Sequence, residues 1–109
     1  VSLCQMCYQI WRTGHDGIEI ARTIIITSKI LLLCDEDSSK TDVLLNVLDT
    51  SKTKDIKNII QEDDPLLVTV VFKPSSIVGI THRKWRLKAC DTFAAGRLFD
   101  ELTRAKREG

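Results

Sequence analysis

The hydrophobic pattern along the chain predicts a series of short strands. Apolar runs of strand length recur with polar turn segments between them, at residues 24–26, 30–34, 43–48, 56–60 and 66–72. The last of these runs has β-branched residues in series, which is typical of a strand. Residues 3–11 mix Tyr, Ile and Trp with polar positions and are predicted to form an edge strand. The pattern therefore favours a small antiparallel sheet.

The last third of the chain predicts one more strand followed by a helix. Alternation from position 84 onward places Trp85 and Leu87 on one face, and Lys84, Arg86 and Lys88 on the other. Asp91 or Thr92 is the predicted N-cap of a helix that runs to about Lys106. Its apolar side chains recur at helical spacing and form one stripe, at Ala95, Leu98, Phe99, Leu102 and Ala105.

The remaining positions of this helix form a charged face, which comprises Arg97, Asp100, Glu101, Arg104 and Arg107. Gly96 costs roughly 1 kcal/mol relative to Ala inside a helix. We expect a close approach of the helix to the sheet to explain it. Polar segments at 13–17, 35–42, 49–55 and 62–65 are predicted turns or loops, and residues 77–82 a connection.

Two segments resemble the pleckstrin-homology-like (PH-like) superfold. Residues 85–102 (WRLKACDTFAAGRLFDEL) resemble its last strand and closing helix, and residues 21–34 (ARTIIITSKILLLC) its second and third strands. The resemblance implies a mainly β fold: a strongly bent antiparallel sheet of about seven strands, forming a partly open barrel capped by a C-terminal helix. Residues 1–109 would form a single domain. This sequence departs from the pattern at Leu98, where such helices usually carry a Trp.

Size and charge bound the possible roles. The chain has 109 residues, of which 43% are hydrophobic and 28% charged, enough for one domain with one core. The net charge of +1 argues against general attraction to nucleic acid or an anionic membrane. Residues 82–109 carry eight basic and four acidic side chains (+4), and residues 1–81 eight and eleven (−3). Any charge-driven binding is therefore expected to be local.

We expect an intracellular domain, cytoplasmic and associated with the cytoskeleton or a membrane surface. The chain lacks a run of about eighteen apolar residues and a basic start leading into an apolar stretch. Because it begins at Val1, we expect a piece of a larger protein.

Metal binding and catalysis find little support. Cys4 and Cys7 have the spacing of half a zinc site, which Cys34, Cys90, His15 and His82 could complete. On a strand, however, this spacing places the two cysteines on opposite faces, so buried or free thiols are the favoured interpretation. Neither histidine has a nucleophile at a recognisable spacing. We predict no metal, no cofactor and no enzymatic activity.

Protein interaction is the function that the sequence favours. A basic stripe of Lys84, Arg86 and Lys88, extended by Arg104, Lys106 and Arg107, would meet an acidic partner protein or an acidic filament surface. The simpler interpretation is a strand with one face in the core and one face in solvent, whose basic residues bind no partner. The resemblance implies a second surface, the sheet edge beside the terminal helix, where family members accept a peptide as an added strand. We therefore predict a scaffolding module of a larger protein.

The alternative is recruitment to a membrane through phosphoinositides. The resemblance implies that a headgroup binds near the loop between the first two strands, where Arg12, His15, Arg22 and Lys29 are the candidate residues. Asp16 and Glu19 lie between the two arginines and weaken the positive potential. Arg12 and Arg22 could equally be ordinary exposed strand residues.

Overall fold

The computed structural model describes residues 3–11, 18–37, 44–74 and 83–109. Within them the chain forms seven strands, one short 3-10 helix and one α-helix. Their bounds are β1 Leu3–Trp11, β2 Ile18–Ile26, β3 Ile30–Asp37, β4 Leu44–Lys52, the 3-10 helix Thr53–Asp55, β5 Ile56–Gln61, β6 Leu67–Phe72, β7 Arg83–Lys88 and α1 Thr92–Glu108.

All seven strands belong to one antiparallel sheet. The strand order is β4-β3-β2-β1-β7-β6-β5, so β4 and β5 are the edges of the described sheet. The predicted mainly β fold of seven strands with a closing helix is confirmed.

The inner face of the sheet encloses the core. Trp85 and Leu87 of β7 are buried, as the alternation predicts, and Val68, Val70 and Phe72 of β6 join them. The rings of Phe72 and Trp85 pack edge to face with their centroids 4.9 Å apart. The two large aromatic side chains of the core therefore pack against each other across β6 and β7.

Helix α1 closes the core with its apolar stripe. The carboxylate of Asp91 accepts a hydrogen bond of 2.7 Å from the backbone N–H of Ala94, which confirms Asp91 as the N-cap. Phe99 is half-buried against the core, and the other four residues of the stripe are buried. Leu98 is fully buried, so the position where related helices carry Trp still serves the core.

Two strand predictions need correction. Strand β1 has the predicted bounds, but it is not an edge strand, because it pairs with both β2 and β7. The polar residues at 35–37 continue β3 and pair with β4 rather than starting a loop. Pairing with an adjacent strand satisfies backbone groups regardless of side-chain polarity, which composition alone does not reveal.

The predicted loop at 49–55 is also wrong. Residues 49–52 complete β4, and the 3-10 helix follows directly. The carboxylate of Asp49 accepts a hydrogen bond of 2.9 Å from the indole N–H of Trp85 and also binds Arg83. The half-exposed side chain of Asp49 thus links β4 to β7, so this polar residue is part of the fold.

The close approach expected at Gly96 is absent. A Cβ built on Gly96 would meet no atom within 4 Å apart from its chain neighbours and its own helix backbone. The turn predicted at 62–65 is confirmed, since the N–H of Leu67 donates to the carbonyl of Asp64 over 3.0 Å. The turn predicted at 13–17 and the connection predicted at 77–82 lie outside the described residues.

Candidate interaction surfaces

The basic stripe of β7 is largely compensated by acidic neighbours. Lys84, Arg86 and Lys88 share the face opposite Trp85 and Leu87. A guanidinium nitrogen of Arg86 lies 3.2 Å from Glu62, and the Nζ of Lys88 lies 2.9 Å from Glu19. Of the three cations, Lys84 is the exposed one, and it has no ion-pair partner within the described ranges.

The ion pair at Arg86 is part of a small polar network. The hydroxyl of Thr69 donates to Glu62 over 2.9 Å, and this hydrogen bond, with that from Arg86, lowers the pKa of Glu62 below its usual value. The hydrogen bond to Glu19 raises the pKa of Lys88. These groups therefore hold one another in their charged forms on the outside of the sheet.

The outward side of α1 presents a different surface. Phe93 is 78% exposed, and it lies on the side of the helix opposite the buried stripe. Helical spacing places Gly96, Arg97, Asp100, Arg104 and Arg107 on the same side. We call these five residues, together with Phe93, the outer face of α1.

A groove of about 420 Å³ runs along this outer face. Thr92, Phe93, Gly96, Arg97, Asp100, Glu101 and Arg104 line it. A Cβ built on Gly96 would meet no side chain within 4 Å, so the groove is open at this position, and Phe93 lines the same groove. We call this open position of the groove the notch. A guanidinium nitrogen of Arg104 lies 3.3 Å from Glu101, and Arg107 is exposed. The outer face of α1 thus carries the exposed Phe93 and the open position at Gly96, with Arg97 beside them, at one end and Arg104 and Arg107 towards the other.

The candidate lipid residues are not brought together within the described part of the chain. The side chain of Arg22 is 9% exposed and lies on the inner face, where its Nε donates to Gln9 over 3.1 Å and Nη1 lies 3.5 Å from Asp35. Lys29 follows the far end of β2, whose nine residues span roughly 26 Å from Ile18. Arg12 and His15 lie outside the described residues.

The sheet edge beside the helix is β5. This edge strand contacts α1, and it carries a half-buried Ile59 next to an exposed Ile60. Its exposed polar positions are Lys57, Asn58 and Gln61. The edge is therefore open to strand addition over the described residues, but short.

The cysteines show the opposite-face arrangement expected from their spacing. Cys4 is exposed and Cys7 buried, Cys34 is buried and Cys90 exposed, and none forms a disulfide. Burial raises the pKa of the Cys7 thiol to about 12. Across the described ranges, no three His, Cys, Asp or Glu side chains are grouped as a metal site. His15 and His82 lie outside those ranges.

No helix among the described residues has the length and apolar character needed to cross a bilayer.

Sequence reasoning did not single out Phe93 and Gly96 as a pair. The signal was present, because Phe93 lies off the apolar stripe of its own helix and a large aromatic there has no core to enter. From the sequence we expect Gly96 to lie against the sheet, whereas it lies on the outward side of the helix. The useful signal is a glycine within one helical turn of an aromatic residue that lies off the apolar stripe.

No protein-family profile matches the chain, and no curated protein sequence does. Solved structures do match its fold. The PDZ-RhoGEF DH/PH domains, in complex with GTP-gamma-S-activated RhoA, superpose with a TM-score of 0.73 at 15% identity over 96% of this chain. This chain spans 29% of the PDZ-RhoGEF chain.

Two isolated PH domains give similar values. The Slm1 PH domain in complex with inositol-4-phosphate has a TM-score of 0.67 at 12% identity, covering 95% of this chain and 94% of that one. The N-terminal PH domain of human ARAP2 has a TM-score of 0.65 at 8% identity, covering 97% and 79%. The fold of this chain is therefore that of a PH domain.

Proposed function

We propose that this chain is a non-catalytic protein-interaction module of a larger protein, and that its partner binds the outer face of α1. The observation that carries the proposal is a groove that is lined by the exposed Phe93 and is open at Gly96. Large apolar side chains grouped with a cavity on a surface are typical of protein interfaces.

Gly96 supports the proposal through its energetic cost. Glycine in a helix interior costs about 1 kcal/mol relative to alanine. Close packing inside the domain offers no compensation, because a Cβ at this position meets nothing within 4 Å. A side chain inserted by a partner would use the space that the missing Cβ leaves open. The cost is then offset in the complex rather than in the free domain.

The charges of the outer face define the partner further. Arg104 and Arg107 are exposed at one end, and the notch lies at the other. A matching partner therefore presents an apolar side chain, which fills the notch, and acidic groups about two to three helical turns away. An acidic filament of the cytoskeleton is one surface of this kind.

The structural neighbours offer support for a protein ligand and for an inositol phosphate ligand. The PDZ-RhoGEF fragment was solved with a protein partner and the Slm1 PH domain with inositol-4-phosphate. For this chain we favour the protein partner, because the outer face of α1 offers an apolar anchor and Arg22 is engaged inside the sheet. The basic stripe of Lys84, Arg86 and Lys88 remains a secondary prediction, since two of its three charges are paired.

The experiment compares the proteins captured from extract of cells that express the protein. Bait chains carry Phe93→Ser or Gly96→Leu, with Lys57→Ala on β5 as the control variant. We expect wild type and control to capture the same proteins, and both variants of α1 to lose them. Gly96→Leu is the sharper variant because leucine is a good helix former, so loss of capture cannot be ascribed to a weakened helix. Equal capture by all four baits would refute the proposed surface.

Phosphoinositide recruitment is the alternative function. It predicts selective sedimentation with phosphoinositide vesicles over phosphatidylserine vesicles of matched charge, and loss of that selectivity on combining Arg12→Ala with Arg22→Ala. We expect no selectivity. Selective sedimentation that survives Phe93→Ser would make the chain a membrane-recruitment domain.

A further inference from the structure

We propose a second binding site on this chain, a cleft lined by three lysines that takes an acidic peptide segment. The cleft has a volume of about 570 Å³ and lies where the turn after β2 meets the end of β4 and the C-terminus of α1. Its lining comprises Ser28, Lys29, Ile30, Lys52, Thr53, Lys54, Glu108 and Gly109. We call it the lysine cleft.

The backbone holds the three lysines close together. Lys52 is the register partner of Ile30, so Lys29 and Lys52 lie on adjacent strand ends. The N–H of Thr53 donates to the carbonyl of Lys29 over 3.0 Å, and its hydroxyl donates to the carbonyl of Ser28 over 2.9 Å. Thr53 is 1% exposed and therefore fixes the turn against the 3-10 helix. The three lysine backbones are thus preorganised.

The lysine charges are available to a ligand. All three side chains are exposed, and within the described ranges none is in ion-pair contact with a carboxylate. Glu108 is the one acidic residue of the lining. The local excess of positive charge contrasts with the −3 balance of residues 1–81. An anionic ligand would therefore find a local attraction on an otherwise acidic region.

The form of the cleft favours a spread set of carboxylates over one compact phosphate. A phosphate is bound best by convergent backbone N–H groups or a helix N-terminus. Here the nearby helix end is a C-terminus, which is negative, and Glu108 adds to it, so the anionic groups of a ligand have to lie at the three lysine side chains and not at the helix end. The backbone N–H and the hydroxyl of Thr53 both donate to backbone carbonyls and are not free to bind a phosphate. Lysines act as point charges on flexible stems and suit carboxylates spaced along a chain.

The floor of the cleft suits a peptide rather than a lipid headgroup. Ile30 is 38% exposed and forms part of the lining. Its side chain lies on the same face of the sheet as those of Leu32 and Thr50. These two uncharged residues form the next register pair of β3 and β4 on that face. A peptide with alternating acidic and apolar residues could place carboxylates on the lysines and apolar groups on this floor. A phosphoinositide headgroup presents hydroxyl and phosphate groups and has no apolar side chain to place on this floor.

The test is fluorescence anisotropy with a labelled peptide of alternating Glu and Ala, and with the same peptide carrying Gln in place of Glu. The binding variant combines Lys29→Glu with Lys54→Glu. The matched control combines Lys57→Glu with Lys73→Glu, which changes the net charge equally at exposed positions elsewhere. Thermal unfolding of each variant confirms that the domain still folds.

We expect the Glu peptide to bind wild type and the control, and the binding variant to lose about tenfold or more in affinity, as two lost ion pairs imply. The Gln peptide should not bind. Equal loss in the control, or equal binding of the Gln peptide, would overturn the proposal. Binding of anionic vesicles that the binding variant alone abolishes, without peptide binding, would assign the cleft to a membrane surface instead.

The outcome is independent of the outer face of α1. Phe93→Ser should leave binding of the Glu peptide unchanged, because Phe93 lies at the opposite end of the helix from Gly109. Loss of peptide binding in Phe93→Ser would contradict the assignment to the lysine cleft.

Discussion

Replacing Gly96 with alanine should stabilise the free domain. The added Cβ enters open space, so the substitution introduces no clash. Alanine is favoured over glycine by about 0.8–1.0 kcal/mol in a helix interior, partly because it restricts the unfolded chain. Gly96 lies in the second turn of a 17-residue helix, where this full difference applies. We expect the free energy of unfolding to rise by about 1 kcal/mol.

The assay is urea and thermal denaturation followed by far-ultraviolet circular dichroism. For a domain of this size, about 1 kcal/mol raises Tm by about 4–8 °C. The control is Ala95→Gly at the preceding position, which removes a fully buried methyl group as well as helix propensity and should cost more than about 1 kcal/mol. A loss of stability in Gly96→Ala would mean that the helix does approach the sheet there, and would refute the reasoning behind the notch.

Asp49, Glu62 and Cys7 each allow a test of one local feature of the fold. Asp49→Ala leaves the buried indole N–H of Trp85 without its acceptor, and denaturation should show a loss of about 1–3 kcal/mol; an unchanged midpoint would contradict this link between β4 and β7. Because the pKa of Glu62 is lowered by folding, its contribution is present above the unfolded pKa of about 4.5 and is lost as pH falls through the folded value. Glu62→Gln should therefore flatten the fall of stability on acidification, and an identical pH profile would exclude the contribution. Iodoacetamide at neutral pH should label Cys90 in the native state but Cys7 only after unfolding, because burial raises the pKa of that thiol; native labelling of Cys7, measured by mass spectrometry, would be the contrary result.

Periodicity predicted most of this fold because the core faces carry it. Trp85 and Leu87 alternate with charged residues, and the stripe of α1 recurs at helical spacing, so burial could be inferred position by position. The position of β1 could not be inferred, since pairing partners depend on contacts far along the chain.

The candidate sites were less predictable than the fold. A basic stripe on β7 was visible in the sequence, but its partners Glu62 and Glu19 are distant in sequence, and only the folded chain reveals the pairing. Lys29 was grouped with Arg12 and Arg22 because they are near in sequence. The strand between them carries Lys29 to the other end of the sheet, beside Lys52 and Lys54.

The measurement that tests the proposed function most directly is site-specific photocrosslinking. A photoreactive phenylalanine analogue replaces Phe93 on the outer face of α1 or, as the control, Lys57 on β5, in cells that express the protein. We expect a discrete crosslinked protein product at position 93 and none at position 57. Equal products at both positions, or a product at position 57 alone, would contradict the claim that the partner binds the outer face of α1.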